Sequence, residues 1–366
     1  MKRRTFMQSG LAATLGTPLL AALRQDRLDG AVDLLAQATA SGQVAAAVLH
    51  LSQRQFSFSR AFGRAPTEQA MFLLGSISKP ICMTALMTLF DQAEFQLADP
   101  LQKFIPSFTG DGREQVTMQQ LLTHVSGLPD QLPENNRLRK EHAPLSRFVE
   151  QAIRTPLHFV PGSQYQYSSM AILLAARVAE IITDLDILTL VDRAVFQPLR
   201  MQHSAQGLGR FALADMVAVQ TEHAAPESGA GDPDAKDWDW NSPYWRKLGA
   251  PWGGTHASAP DIGRFLSELL DEKGEVVKPS TAKMMVANHN RAGLAPRGLG
   301  LNVGLSAGST GCSAQTFGHT GSTGTLAWAD PASHTICVVL TSLPARAVQR
   351  HPRDLVGDNV AAAAGV

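Results

Sequence analysis

A serine and a lysine three positions apart are the residues of this sequence best suited to covalent chemistry. Ser76 and Lys79 precede a run whose apolar residues, at 81, 82, 85, 86, 89 and 90, follow the spacing of a buried helix. The pattern places Ser76 at the start of that helix, with Lys79 on the same face. A serine hydroxyl is a weak nucleophile until a base takes its proton. Burial lowers the pKa of a lysine amine, so that a buried lysine can be neutral and act as this base. Unpaired N–H groups at a helix start also stabilise a developing oxyanion.

Two further elements contain side chains suited to acid–base chemistry. Tyr167 lies in residues 161–169, directly before a predicted helix, and a nearby cation would lower its pKa enough for proton transfer. His319 lies in the glycine-rich stretch 317–324, where small residues let a substrate backbone approach closely. Each element also has a plain structural interpretation: a capping serine beside a solvated lysine, a packed tyrosine, and a structural histidine near a glycine turn.

Taken in order, the three elements resemble the serine β-lactamase and penicillin-binding-protein superfamily. The class C-like branch of that superfamily, which includes esterases and D-aminopeptidases, has S-x-x-K, then Y-x-N or Y-S-N, then K-T-G or H-T-G. This sequence has Ser76-x-x-Lys79, Tyr167-x-Ser169 and His319-Thr-Gly. Supporting stretches occur at residues 97–100, 121–129, 198–201, 253–258 and 298–301, so that the resemblance spans about residues 28–345.

The resemblance implies a role for each matching residue. Ser76 would be the acylated nucleophile, and Lys79 and Tyr167 would share the general-base work, with the charge of the lysine favouring a tyrosinate. His319 would line the pocket opposite the serine. The backbone N–H groups of Ser76 and Ser322 would form the oxyanion hole. The residues expected to contact substrate are Ser169, Thr320, Gly321 and Trp252.

Two departures from the family pattern bear on the activity. Ser169 stands where the family often has asparagine, and a hydroxyl is shorter than an amide and lacks its fork of donors and acceptors. His319 stands where β-lactamases usually have lysine, so a fixed charge for a substrate carboxylate is missing. The favoured function is an exported serine hydrolase that acts through an acyl-enzyme on an ester, a small amide or a D-amino-acid peptide. A β-lactamase and a catalytically silent penicillin-binding-like protein that binds peptidoglycan fragments are the alternatives.

Other residues near these elements carry weaker signals. A group of tryptophans before Gly253 would give the pocket an apolar wall or would simply pack within a long loop; its members are Trp238, Trp240, Trp245 and Trp252. His124 is expected to be structural. Arg346, after the last predicted strand, is expected to be a solvated surface residue rather than a ligand for a substrate carboxylate.

The order of predicted elements indicates an α+β fold. Strand-like runs occur near both ends of the chain, at 44–52 and 55–61 and again at 300–305, 312–318, 323–329 and 335–341, and helices lie between the two groups. The spacing of the last four runs indicates an antiparallel meander. This order predicts one antiparallel sheet flanked by helices and a mainly helical second lobe. The resemblance implies the same β-lactamase-like architecture. We expect a hydrolase domain over residues 25–366, with an α/β lobe at about 25–100 and 250–366 and a helical lobe at about 101–249. Residues 221–241 contain few apolar anchors and are predicted to form a surface loop.

Charge and composition exclude several function classes. The 32 basic and 32 acidic residues cancel, so nothing indicates binding to nucleic acid or to an anionic membrane. The cysteines, Cys82, Cys312 and Cys337, form no C-x-x-C pair and are expected to be free thiols. The 11 histidines show no zinc-binding pattern, so neither a metal nor another cofactor is predicted. The expected partner is a small ester, amide or peptide substrate.

The first residues indicate export. Arg3 and Arg4 belong to a twin-arginine pattern, and a mildly apolar region follows from 11 to 23. Residues 1–24 are therefore predicted to be a twin-arginine-type signal segment, which implies a periplasmic or extracellular protein. Because no A-x-A cleavage motif follows, an uncleaved segment would act as a membrane tether.

Overall fold

The computed structural model describes residues 24–364 of the chain. All but the last residue of the predicted export segment, residues 1–24, therefore lies outside the described residues. The α-helices are α1 (Gln25–Ala40), α2 (Ser78–Asp91), α3 (Met118–Leu122), α4 (Asn135–Lys140), α5 (Leu145–Arg154), α6 (Ser169–Thr183), α7 (Ile187–Val191), α8 (Pro243–Leu248), α9 (Ala259–Leu270), α10 (Pro279–Val286) and α11 (Pro352–Ala364). Within residues 24–364, no helix is both long enough and apolar enough to cross a membrane.

The strands form one large antiparallel sheet and one small one. Their bounds are β1 (Ala46–Gln53), β2 (Phe56–Gly63), β3 (Phe72–Leu73), β4 (Ser204–Gln206), β5 (Thr255–Ala257), β6 (Asn302–Val303), β7 (Phe317–Gly321), β8 (Thr325–Asp330) and β9 (Thr335–Thr341). The large sheet has six strands in the order β2-β1-β9-β8-β7-β6, and the small one has the order β3-β5-β4. The predicted sheet from both ends of the chain, with an antiparallel meander at its C-terminal side, is therefore confirmed.

Helices cover both faces of the large sheet. Along β9, Ile336 and Val338 face a core that includes α9, whereas Cys337 and Val339 face a separate core with α1 and α11. Successive side chains of a strand point to opposite faces, so a strand covered on both sides is apolar at every position. This explains the run of buried residues from Thr335 to Thr341. The predicted α+β class, an antiparallel sheet flanked by helices, is the architecture found.

The central helix α2 is apolar almost all round. Ten of the residues in its sequence SKPICMTALMTLFD are buried besides Lys79, and the helix packs against the equally apolar α6. A helix that is hydrophobic on every side belongs in the interior of a protein. The amine of Lys79 is consequently held in the core rather than in solvent. The division of the molecule into two lobes stays a prediction.

Two sequence-based predictions differ from the structure. The stretch 221–241 is not a purely surface loop, because it forms short helical turns, and the following Trp238 and Trp240 are only 2% and 6% exposed. These tryptophans pack inwards, so a few aromatic anchors outweigh the polar composition around them. Cys312, expected in a strand, lies before β7 in irregular backbone. All three cysteines are free and buried.

Candidate active site

Ser76 lies in a tight 3₁₀ turn between β3 and α2 rather than in the α-helix itself. The turn spans Gly75–Ile77, and α2 begins at Ser78. Gly75 has φ of +57°, and a Cβ at that position would approach the backbone nitrogen of Ser322 to 3.1 Å. A glycine is therefore required where the turn that contains Ser76 meets the end of β7. Ser76 therefore lies next to the glycine-rich stretch 317–324, the third motif, which contains His319.

Lys79 is buried below Ser76, with 1% of its surface exposed. Its Nζ lies 3.0 Å from Ser76 Oγ and donates a hydrogen bond of 2.9 Å to the backbone carbonyl of Trp252. Burial is the main cause of the lowered pKa of the amine; the Asp130 carboxylate opposes the shift, the Arg297 guanidinium adds to it, and the resulting pKa is about 7. A neutral amine retains N–H groups to donate to Trp252 and has a lone pair for the Ser76 proton.

Tyr167 completes the predicted base group, but as a protonated phenol. Burial raises its pKa well above the usual value, and this effect outweighs the lowering by Ser76 and Arg297. Lys79 Nζ lies 4.7 Å from the centre of the ring. The hydroxyl is buried and has no hydrogen-bond partner within the described residues. Ser76 is close enough to affect the pKa of the phenol, but the two hydroxyl groups do not meet the geometric criteria of a hydrogen bond. The expected tyrosinate is therefore not favoured, and Tyr167 is a proton donor at neutral pH.

His319 is neutral and its tautomer is defined by its neighbours. Nδ1 lies 2.7 Å from the carbonyl oxygen of Thr320, which can only accept, so Nδ1 carries the proton. Nε2 is then the acceptor for Arg297 Nη2 at 3.4 Å. Burial, followed by the charges of Arg297 and Lys79, holds the pKa of His319 well below its usual value. The third motif thus presents no imidazolium charge.

Arg297 is a site residue that the sequence alone did not reveal. It is 3% exposed, donates to Asn302 and lies with its guanidinium carbon 5.6 Å from the centre of the Tyr167 ring. Within residues 24–364 it has no carboxylate at salt-bridge distance. The only signal was its position directly before the matching stretch 298–301. The site therefore contains a fixed cation, although not at the position where the third motif of β-lactamases places one.

Asp130 is a second residue that sequence reasoning missed. It follows the matching stretch 121–129, and its Oδ1 accepts hydrogen bonds from Ser169 Oγ at 2.6 Å and from the Ser169 N–H at 2.9 Å. The Ser169 hydroxyl is therefore engaged by a carboxylate at the start of α6. It does not reproduce the free amide of the family pattern.

A cavity of about 180 Å³ opens at Ser76. Its wall includes several of the predicted residues together with the loop tryptophans: Tyr167, Ser169, Trp240, Trp245, Trp252 and Ser322. Thr320 and Gly321, which were predicted to contact substrate, lie outside this wall. Both belong to strand β7, which packs against the turn that contains Ser76. A Cβ on Gly321 would come 2.0 Å from the carbonyl oxygen of Leu74, so only glycine allows β7 to pass the turn that contains Ser76.

The proposed oxyanion donors are free. Within the described residues, no hydrogen-bond acceptor is found for the backbone N–H of Ser76 or of Ser322. Both residues line the cavity. Unpaired N–H groups at a cavity wall are suited to stabilise a negative oxygen of a reaction intermediate.

The remaining candidates have structural positions. His124 Nδ1 accepts the Ser168 N–H at 3.1 Å, and its ring centre lies 4.6 Å from that of Tyr167, in agreement with the structural role expected for it. Arg346 is exposed and lies outside the cavity wall. Within residues 24–364, no group of three or more His, Cys, Asp or Glu side chains is arranged to hold a metal ion.

Comparisons with known proteins agree with this geometry. The chain is 32% identical over 209 residues to esterase EstB of Burkholderia gladioli, an alignment that covers 53% of this chain and 51% of the esterase. It is 27% identical over 304 residues to a Salmonella agona (strain SL483) protein named "Putative D-alanyl-D-alanine carboxypeptidase", covering 76% of this chain and 70% of that protein.

The solved D-amino acid amidase of Ochrobactrum anthropi SV3 in complex with D-phenylalanine has the same fold. It superposes with a TM-score of 0.74 at 20% identity, covering 92% of this chain and 98% of the amidase. The Beta-lactamase family model matches residues 31–362, nearly the whole of the described structure. The chain therefore belongs to the β-lactamase family of serine hydrolases.

Proposed function

We propose that the protein hydrolyses a small ester or amide through an acyl-enzyme formed on Ser76. The observation that carries the proposal is the buried Lys79 amine, 3.0 Å from the Ser76 hydroxyl and with its pKa lowered to about 7. A base with a pKa near the working pH is the most effective partner for a serine nucleophile. The relatives named as an esterase and as a carboxypeptidase support this reaction class.

The acylation step uses groups already in place. Ser76 Oγ attacks the substrate carbonyl carbon, its proton passes to Lys79, and the resulting oxyanion is held by the N–H groups of Ser76 and Ser322. When the intermediate collapses, the bond to the alcohol or amine leaving group breaks and that group takes the phenolic proton of Tyr167. The Lys79 ammonium then returns a proton to Tyr167, so that both groups regain their initial states.

In deacylation, water is the nucleophile and Ser76 is the leaving group. A water molecule attacks the acyl carbon while Lys79 takes its proton, and the ester bond to Ser76 breaks as the Lys79 ammonium returns that proton to Ser76 Oγ. The product is a carboxylic acid.

Ester or amide hydrolysis fits the site better than β-lactam hydrolysis. β-Lactam turnover depends on a positive group that holds the substrate carboxylate at the third motif. Here His319 is neutral and lies outside the cavity wall. Ser169, in place of the family asparagine, is bonded to Asp130. A simple ester requires neither a positive group that holds a carboxylate nor an asparagine amide at position 169.

The direct test is covalent labelling followed by a substrate screen. A fluorophosphonate probe should give one adduct by intact-mass spectrometry, mapped to Ser76 and absent from Ser76→Ala. Ser78→Ala is the matched control, because Ser78 lies two positions away, with its buried hydroxyl accepting the Thr255 N–H at 2.9 Å. Hydrolysis of p-nitrophenyl esters or D-amino-acid amides should then exceed that of nitrocefin. A folded protein without any adduct or turnover would instead indicate a silent binding protein.

We also propose that the protein is exported to the periplasm or beyond through its twin-arginine pattern. The pattern includes Arg3 and Arg4. Fractionation of cells should place the wild-type protein outside the cytoplasm, and the double variant Arg3→Lys, Arg4→Lys should remain inside. Equal distribution of both proteins would contradict export by this route.

A further inference from the structure

A buried arginine lies in the wall of the cavity, away from the residues of the proposed mechanism. Arg139, on the short helix α4, is 2% exposed and lines the same cavity as Ser76. Its guanidinium carbon lies 3.9 Å from the centre of the Trp245 ring and 5.4 Å from that of Trp238. Stacking on two aromatic faces fixes the plane of the guanidinium.

The group made by these three residues, the donor cluster Arg139, Trp238 and Trp245, has more hydrogen-bond donors than acceptors. One Arg139 nitrogen, Nη1, donates to the carbonyl of Glu227 at 2.5 Å. Arg139 Nε and Nη2 and the indole N–H groups of both tryptophans are buried without any partner in the described residues. Arg139 and Trp245 line the cavity, whereas Trp238 lies against Arg139 outside the cavity wall. Unpartnered buried donors are unfavourable, so a ligand in the cavity that supplied acceptors would stabilise this group.

The charge of the donor cluster is also uncompensated at contact distance. Burial lowers the pKa of Arg139 to about 10, so the guanidinium stays positive at neutral pH. Glu227 and Asp239 act on it through space, but no carboxylate of residues 24–364 forms a salt bridge with it. Glu227 is exposed, and Asp239 accepts the N–H of Asn241. Asp130, the other carboxylate of the cavity wall, is bonded to Ser169.

We propose that the donor cluster binds a carboxylate group of the substrate, so that the preferred substrate is a small ester or amide with a free carboxylate on its acyl part or on its leaving group. A carboxylate offers only acceptors, and its two oxygens match the planar fork of an arginine. The tryptophans that line the cavity, Trp240, Trp245 and Trp252, provide an apolar contact for the carbon chain between the carboxylate and the reacting carbonyl. This inference rests on the proposed hydrolysis at Ser76 and names its substrate class.

The kinetic test compares charged and neutral substrates of matched shape. For the acyl side, the mono-p-nitrophenyl esters of succinic, glutaric and adipic acid are paired with the p-nitrophenyl esters of 4-methylpentanoic, 5-methylhexanoic and 6-methylheptanoic acid. For the leaving-group side, 4-carboxyphenyl butyrate is paired with 4-acetylphenyl butyrate. After correction for spontaneous hydrolysis, the charged-to-neutral ratio of kcat/KM is measured for each pair in wild type and variants.

Three variants separate anion binding from a loss of structure. Arg139→Met removes the charge, and Trp245→Phe removes one N–H while keeping an aromatic face. Arg137→Met is the matched control, because Arg137 lies on the same helix but is exposed and paired with Glu141. We expect Arg139→Met to lower the ratio about ten- to a hundredfold in one of the two arms, which is the size of charge-assisted hydrogen bonds. Trp245→Phe should lower it less, and Arg137→Met should leave it unchanged.

Binding of glutarate, measured by calorimetry on wild type and Arg139→Met, tests the donor cluster without turnover. Binding to wild type alone supports the inference even if no ester is cleaved. A charged-to-neutral ratio that is the same in wild type and Arg139→Met in both arms, together with no difference in glutarate binding, would overturn it. In that case neutral esters would still be hydrolysed, and the proposed function would stand. The proposed function would be overturned instead if the protein cleaved no ester or amide and Ser76 were not labelled.

Discussion

Arg297 directs a guanidinium N–H at the imidazole of His319, with 3.4 Å between Nη2 and Nε2. Because Nδ1 of the same ring donates to a carbonyl, protonation of Nε2 would place two cations in contact. At an effective dielectric constant of 20, unit charges 4 Å apart repel by about 4 kcal/mol. Burial is the larger cause of the lowered pKa of His319, and the Arg297 charge adds to it, so that the imidazole stays neutral while one positive charge remains beside Lys79 and Tyr167.

Removing the Arg297 charge should move the pH profile. The guanidinium disfavours the ammonium form of Lys79, so Arg297→Met should raise the pKa of Lys79 above its present value of about 7. The acidic limb of kcat/KM should then shift to higher pH, and activity at pH 7 should fall. Arg297→Lys, which retains the charge, should shift the limb much less. An acidic limb that stays in place in Arg297→Met would show that the cation does not act on the base.

Asp130 should have the opposite effect on the same profile. Its carboxylate raises the pKa of Lys79, so Asp130→Asn should lower that pKa and move the acidic limb of kcat/KM to lower pH. Ser169→Ala, which removes the hydroxyl bonded to Asp130 but keeps the carboxylate, is the matched control. A shift of the same sign in Asp130→Asn and Arg297→Met would contradict an electrostatic origin for both.

The lysine base itself predicts the wild-type profile. Because its pKa is near 7, the neutral fraction grows as pH rises through 7, and kcat/KM should rise with it. Lys79→Ala should lose this limb together with about a hundred- to ten-thousandfold of activity, the usual effect of a lost general base. Circular dichroism of Lys79→Ala should show the same spectrum as wild type, which would exclude loss of folding as the cause. A rise through pH 7 that persists in Lys79→Ala would assign the limb to another group.

These predictions depend in part on residues that the sequence did not reveal. Ser76, Lys79 and Tyr167 were identifiable because a local motif gives each one a fixed spacing and a place at a helix start. Arg297 and Asp130 belong to no such pattern. Their burial beside Lys79 follows only from the way distant segments pack, and a charged residue on its own is normally expected at the surface.

The fold shows the same division between local and long-range information. Residues 335–341 were placed correctly as a strand because all seven are apolar or β-branched, cysteine included, and are buried in the sheet. Residues 300–305 were predicted as a full strand, yet β6 contains only Asn302–Val303. Gly300 and Gly304 adopt positive φ there and break the pairing. Trp238 likewise packs against the guanidinium of Arg139, a residue about a hundred positions away in the sequence, so its burial could not be predicted from its neighbours in the chain.

Loss of the Tyr167 hydroxyl should depend on the leaving group. The raised pKa keeps Tyr167 protonated, so its expected task is to protonate the departing alcohol or amine. Tyr167→Phe should therefore lose far more activity towards an amide or alkyl ester than towards a p-nitrophenyl ester, whose leaving group needs no proton. Because the proton that Lys79 takes from Ser76 replaces the one that Tyr167 gives up, the two groups act in one relay, and the double variant should lose much less than the sum of both effects. Equal losses with all leaving groups would favour a packing role.

The last prediction concerns the β-lactam alternative. Wild type should prefer p-nitrophenyl butyrate to nitrocefin, because the neutral His319 provides no clamp for the β-lactam carboxylate. His319→Lys would restore the lysine of β-lactamases, but beside Arg297 it would be repelled by the neighbouring guanidinium. An unpaired buried charge costs several kcal/mol, so we expect this single variant to have a lower Tm than wild type.

Removing Arg297 as well should relieve the conflict and allow the new lysine to be charged. The double variant His319→Lys, Arg297→Met should have a higher Tm than His319→Lys alone. Its kcat/KM ratio of nitrocefin to p-nitrophenyl butyrate should exceed those of wild type and of Arg297→Met, the matched control for the lost guanidinium. A wild-type preference for nitrocefin would contradict the ester assignment. If the double variant leaves the ratio unchanged, the missing charge at position 319 is not what disfavours the β-lactam.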